Sequence, residues 1–162
     1  MRFTSVRHPE YGTGDELTLQ VTEVYGELTL QVKGEGRTVM NVVLWIVAGI
    51  LAVAMLGAGS MKLVTPKEGL AAKGMTLDDL PAAAIKGIGT LEVLGGIGLV
   101  VPALVNIAPV LVPIAAVGVA IVMAGAVVFH LRRKELKESV PALVLLILAL
   151  VVAWGRFGAW AF

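Results

Sequence analysis

Four stretches of about twenty residues in this chain carry almost no charge and no polar face, and little else constrains its fold as strongly. From Val42 to Met61 there are 20 residues without a charged side chain. At about 1.5 Å rise per residue that length covers a hydrocarbon core of about 30 Å. A second run extends from Ile85 to Val105, a third from Val110 to Leu131 and a fourth from Val140 to Trp160. Helices that are apolar all round need lipid or a large protein interior, and a chain of 162 residues is too small to hide four of them. An all-α bundle of four transmembrane helices over residues 40–162 follows. Composition agrees: 15% of residues are charged, against about 25% in ordinary soluble domains.

The connections are read from breakers and caps. Residues 62–84 form a polar link with Pro66, Gly69, Gly74 and Pro81, long enough for a short interfacial helix. Within it, Thr76-Leu-Asp-Asp79 has the spacing of a capping box. The second span is expected to bend or end near Pro102. Asn106–Pro109 makes a tight turn, and Pro109 and Pro113 fit the first turn of the third span, where no upstream carbonyl needs their missing N–H. Arg132–Glu138 is a charged loop, after which Ser139 is the expected cap of the fourth helix, with Pro141 in its first turn.

Residues 1–39 differ in kind, holding ten of the 25 charges and no apolar run that could serve as a signal-peptide core. They contain a direct repeat, Glu16-Leu-Thr-Leu-Gln-Val21 and Glu27-Leu-Thr-Leu-Gln-Val32. Its two-residue alternation points to strands, with Tyr25-Gly26 as the turn of a weak β-hairpin. Two such strands alone are marginal, so a poorly ordered leader is the companion expectation, and a true start at Met40 stands beside both.

Charge placement orients the spans. Lys62, Lys67, Lys73, Arg132, Arg133, Lys134 and Lys137 lie in the first and third connections, which share one side. Arg156 lies on the other, joined by Lys33 and Arg37 of the leader. The positive-inside rule then places loops 62–84 and 132–138 in the cytoplasm and both termini outside, in a bacterial cytoplasmic membrane. Trp45, Trp154 and Trp160 fall at the outer boundary, where amphipathic rings settle. Arg132, Arg133 and Lys134 are expected to anchor the inner boundary, and Arg156 to snorkel toward outer headgroups.

Small residues must hold such a bundle together, because lipid gives helices no hydrophobic reason to associate. Ala54 and Ala58 share a stripe with Lys62; Ala116, Ala120 and Ala124 recur every fourth residue; Gly87, Gly89, Gly95, Gly96 and Gly98 crowd the second span. Among them stands Glu92, the one acidic residue inside a span, with Gly89, Gly95 and Gly96 on its face. It sits about 10 Å beyond the inner end of its helix. A carboxylate there must face protein or water. Lys62 and His130 end neighbouring spans on the same side, so a Lys62/Glu92/His130 cluster is one expectation. The other is that Lys62 and His130 lie among headgroups while a neutral Glu92 hydrogen-bonds a backbone carbonyl.

The chain has no cysteine, and its two histidines, His8 and His130, are far apart, so no metal site and no intrinsic cofactor is expected. A net charge of +1 gives no reason to expect nucleic acid.

Ala58-Gly-Ser-Met-Lys-Leu63, then Ile88-Gly-Thr-Leu-Glu-Val-Leu-Gly-Gly-Ile-Gly-Leu-Val-Val-Pro-Ala103, Ala108-Pro109, Pro113-Ile-Ala-Ala-Val-Gly118 and His130-Leu-Arg-Arg-Lys134 occur in an order that resembles the DoxX-like family of small four-helix membrane proteins. The resemblance runs from about Met40 to Phe157 and carries Lys62, Glu92 and His130 with it. It implies a membrane bundle associated with redox or quinone-linked systems, with quinone as a ligand and a membrane redox enzyme, the bilayer and a second copy as partners. A non-catalytic subunit or scaffold is the first expectation. The alternatives are a small proton-coupled transporter using Glu92 and a quinone- or lipid-binding enzyme using Glu92 and His130 as proton carriers.

Overall fold

The computed structural model describes residues 14–162 apart from 74, 76 and 78, with side chains from Val21 onward. The described elements are α1 (Gly14–Val64), α2 (Lys67–Ala72), α3 (Ala82–Gly98), α4 (Val101–Leu104), α5 (Leu111–Arg132) and α6 (Leu136–Phe157). The chain divides into two compact units, 1–39 and 40–162.

In the first unit, residues 14–39 are helical, which corrects the expected hairpin. The repeat is offset by eleven residues, three helical turns at about 3.67 residues each, so its two copies present equivalent faces of a helix. Its Glu, Leu and Gln favour helix, and in the second copy the β-branched Thr29 is accommodated by back-bonding, its Oγ1 donating to the Tyr25 carbonyl at 2.7 Å. Residues 1–13 lie outside the described residues.

The second unit holds the bundle. Four helices, counting α3 and α4 as one span of Ala82–Leu104, are long and apolar enough to cross a membrane. The fold is all-α, with no strand among the described residues. Buried positions recur at three- and four-residue steps: Ala48, Leu51, Ala52 and Met55 on α1; Val112, Ala116, Val119, Ala120 and Met123 on α5; Ala149, Val152 and Ala153 on α6. Ile50, Val53, Ile121, Ile147 and Leu150 on the opposite faces are exposed, the inside-out arrangement of a lipid-facing surface.

The second span breaks where expected, and two other boundaries depart from expectation for local reasons. The second span breaks after Gly98 because Pro102 has no N–H for the Gly98 carbonyl, and its ring crowds that oxygen. α6 starts at Leu136, a turn before Ser139, so Ser139 is no cap; its hydroxyl donates to the Leu136 carbonyl at 2.7 Å, and Pro141 lies inside the helix. Thr76, the first residue of the expected capping box, lies outside the described residues; α3 is preceded by Pro81, and Asp79 is engaged elsewhere. The short helix in the first connection is α2. The tight turn before α5 holds Asn106 at φ 52° and Ala108 at φ 48°, left-handed conformations that Asn tolerates and Ala resists.

Candidate functional site

The site begins with two glycines. Where α1 crosses α3, a Cβ built on Gly59 would lie 2.7 Å from the Gly89 carbonyl oxygen, and one on Gly89 would lie 2.9 Å from that of Gly59. The backbones therefore touch, as small residues permit in membrane bundles. A Cβ built on Gly96 would likewise lie 3.0 Å from the Ala52 carbonyl oxygen, which continues the crossing. One turn beyond each member of the glycine pair, at i+3, stand Lys62 and Glu92, and the close approach sets them opposite each other.

Lys62 Nζ donates to Glu92 Oε1 at 2.8 Å and to Oε2 at 2.7 Å. The side chains are 12% and 4% exposed. A doubly hydrogen-bonded ion pair in so dry a place is held by mutual attraction against a large desolvation cost, and loss of either partner leaves the other charge stranded. Lys62 and Glu92 therefore meet directly.

His130 joins this pair through space, not through a bond. Its Nδ1 is 2.9 Å from Glu135 Oε2. The cause is the way α5 ends. Lys134 takes the left-handed conformation (φ 62°), its N–H donates to the Leu131 carbonyl, and the Glu135 N–H donates to that of His130. This is a Schellman ending with a lysine where glycine is usual, and it folds the residue after the turn back over the histidine. Glu135 Oε1 meanwhile accepts from Arg133 Nε at 2.7 Å, and Arg133 Nη1 also pairs with Asp79. The hydrogen bond to Glu135, with the charges of Asp79 and Glu135, holds the Arg133 guanidinium above its ordinary value despite an opposing contribution from burial. Arg133, expected to anchor the boundary, is thus tied into the protein and also lies over Phe129, 5.4 Å from the ring centre. Arg132 and Lys134 are exposed, at the end of α5 and in the turn that follows it.

Two cavities meet at these residues. One of about 370 Å³ lies toward α1, α5 and α6, walled by Met55, Met123, Ala142 and Leu145, with Glu138 at its edge. The other, about 390 Å³, lies toward α3 and α5, walled by Ile88, Ile121, Val122 and Phe129. Lys62, Glu92, His130, Leu77 and Ala126 border both. The volumes suit a small organic ligand, and apolar walls with a few converging polar groups are what such pockets present.

At the other end of the bundle Arg156 does not snorkel. It is 4% exposed, its Nη1 donating to Asn41 Oδ1 at 2.6 Å and to the Trp160 carbonyl at 3.0 Å. Its guanidinium stacks over Phe162 at 4.0 Å and Trp45 at 5.7 Å. The stretch after α6 supplies Trp160 and Phe162 and α1 supplies Asn41 and Trp45, so turning inward gives the charge hydrogen bonds and π faces. Trp45 packs edge-on against Phe162, and Trp160 edge-on against Trp154, the one tryptophan that is largely exposed.

Glu135, Asp79 and Asn41 are functional neighbours that sequence reasoning missed. Only Glu135 left a trace, in its place two residues beyond the end of an apolar run closed by His-x-Arg-Arg.

Comparison with known proteins places this geometry in a family. No curated protein and no solved structure matches the chain. The family model described as DoxX-like matches residues 46–152, from within α1 to near the end of α6 and including Lys62, Glu92 and His130. With well over half its length matched, this chain of four membrane-spanning helices is an integral membrane protein that belongs to the DoxX-like family.

Proposed function

We propose that this protein is a non-catalytic membrane subunit that holds a quinone-type amphiphile for a membrane redox partner. The observation that carries the reading is the pair of apolar cavities meeting at Lys62, Glu92 and His130. A quinone has a hydrogen-bonding ring and an apolar tail, and the cavities offer donors and acceptors at one end and hydrocarbon walls beyond. Electron transfer is assigned to the partner, because this chain has no cysteine and no pair of histidines within one span.

The clamp on Glu92 weighs against the transporter alternative, since both carboxylate oxygens already accept hydrogen bonds from Lys62 and are engaged within the protein. In orientation, loops 62–84 and 132–138 face the cytoplasm of a bacterial inner membrane and the termini face outward. The cationic residues of those loops support this through the positive-inside rule.

The test is purification from native membranes in mild detergent, followed by mass spectrometry of co-purified proteins and of the organic extract. The expected result is a redox enzyme and quinone enriched over the bulk membrane, the enrichment falling in Glu92→Gln. Partner-free protein with quinone at the bulk level would overturn the proposal.

A further inference from the structure

The ion pair at the cavity junction is self-neutralised, and this has consequences for what the cavities accept. Two of the three Lys62 ammonium protons go to the two oxygens of Glu92, so the pair presents no net charge to a ligand. What remains is hydrogen-bonding capacity. The third ammonium proton has no partner among the described residues, the carboxylate oxygens retain lone pairs, and His130 Nε2 carries no bond there, its Nδ1 being committed to Glu135. A ligand head bearing a full charge would be desolvated against groups that have already neutralised each other. A head that is uncharged and both donates and accepts would satisfy them. Glu138 does not change this balance, because it lies exposed at the edge of one cavity, where water screens it.

We infer that the Lys62–Glu92–His130 junction selects uncharged amphiphiles with a hydroxyl or carbonyl head over both anionic and cationic ones, and that the absence of net charge at the junction is what selects. The inference rests on the proposed ligand-holding role but names the ligand by head-group charge, not by redox chemistry. The apolar part of the ligand lies along Met55 and Met123 in one cavity or along Ile121 and Phe129 in the other. Methionine walls adapt to chains of different shape, so the head is where selection occurs.

The selection can be inverted. Glu92→Gln leaves the ammonium unpaired and turns the junction into an anion site; Lys62→Met leaves the carboxylate unpaired and turns it into a cation site. The test uses full-length protein in phosphatidylcholine nanodiscs and three photoreactive probes with the same twelve-carbon diazirine chain and an alcohol, a carboxylate or a trimethylammonium head. Mass spectrometry compares labelling at Met123–His130 with labelling at exposed Leu150, which corrects for partition into lipid. The wild-type protein is expected to favour the alcohol by about tenfold over either charged probe. Glu92→Gln should then favour the carboxylate, and Lys62→Met the trimethylammonium. Lys62→Met/Glu92→Leu, which carries no buried charge and so avoids the folding penalty of the single variants, should keep the alcohol preference.

Equal labelling of the wild type by all three probes, a charged probe preferred by the wild type or the double variant, or an alcohol preference that persists in folded Glu92→Gln would each overturn the inference. A short-chain benzoquinone in excess separates this result from the broader proposal. Suppressed alcohol labelling supports both, whereas undiminished labelling with the alcohol preference intact sinks the quinone reading and leaves charge selection standing.

Discussion

Glu92 is the residue whose surroundings decide most. A carboxylate 4% exposed inside a span is costly unless paired, and Lys62 meets both its oxygens. Removing one partner should cost about 3 kcal/mol, while replacing both by apolar residues of similar volume should cost far less. Thermal unfolding in lipid of Glu92→Gln, Lys62→Met and the double Lys62→Met/Glu92→Leu checks this; a double variant as unstable as the sum of the singles would contradict it. Lys62, Glu92 and His130 are legible in the sequence, because intramembrane charges are rare and these residues end or interrupt apolar runs. Their partners are less legible. Glu135 reaches His130 through a left-handed turn at a lysine, and Asn41 reaches Arg156 from 115 positions away, matters of tertiary geometry that local pattern does not carry.

At the scale of elements, the α1–α3 crossing sets the site. Gly59→Ala and Gly89→Ala would each drive a methyl into backbone, and each should destabilise the bundle by about 1–3 kcal/mol. Gly57→Ala and Gly87→Ala, which meet nothing within 4 Å, should be neutral or slightly stabilising. Equal effects in the two sets, measured by thermal unfolding in the same lipid, would remove the crossing from the account. In the turn before α5, Ala108→Gly should gain about 1 kcal/mol by relieving the left-handed backbone at φ 48°, read as a raised midpoint in the same assay. The spans are readable from charge-free length alone, and Pro102 foretells the break after Gly98. The helix over residues 14–39 is not, since a Leu-Thr-Leu-Gln-Val alternation fits a strand locally and only the eleven-residue offset of its two copies favours a helix.

For the molecule as a whole, the bundle is asymmetric along its axis. One end gathers Lys62, Glu92, His130, Glu135 and Arg133 around two cavities; the other closes over Arg156 with Trp45, Trp160 and Phe162. The absence of cysteine makes the proposed orientation easy to test. Single cysteines at Thr65 and Lys134 should resist a membrane-impermeant maleimide added to intact cells, while those at Asn106 and Ala159 should react; the reverse pattern would invert the topology. The central claim, that α1 and α3 bury a direct Lys62–Glu92 pair at the mouth of the cavities, is tested most directly by solid-state NMR in lipid bilayers. With lysine labelled at 15Nζ and glutamate at 13Cδ, the account predicts strong short-range dipolar dephasing that Glu92→Gln abolishes; dephasing that is absent in the wild type, or unchanged by the substitution, would contradict it.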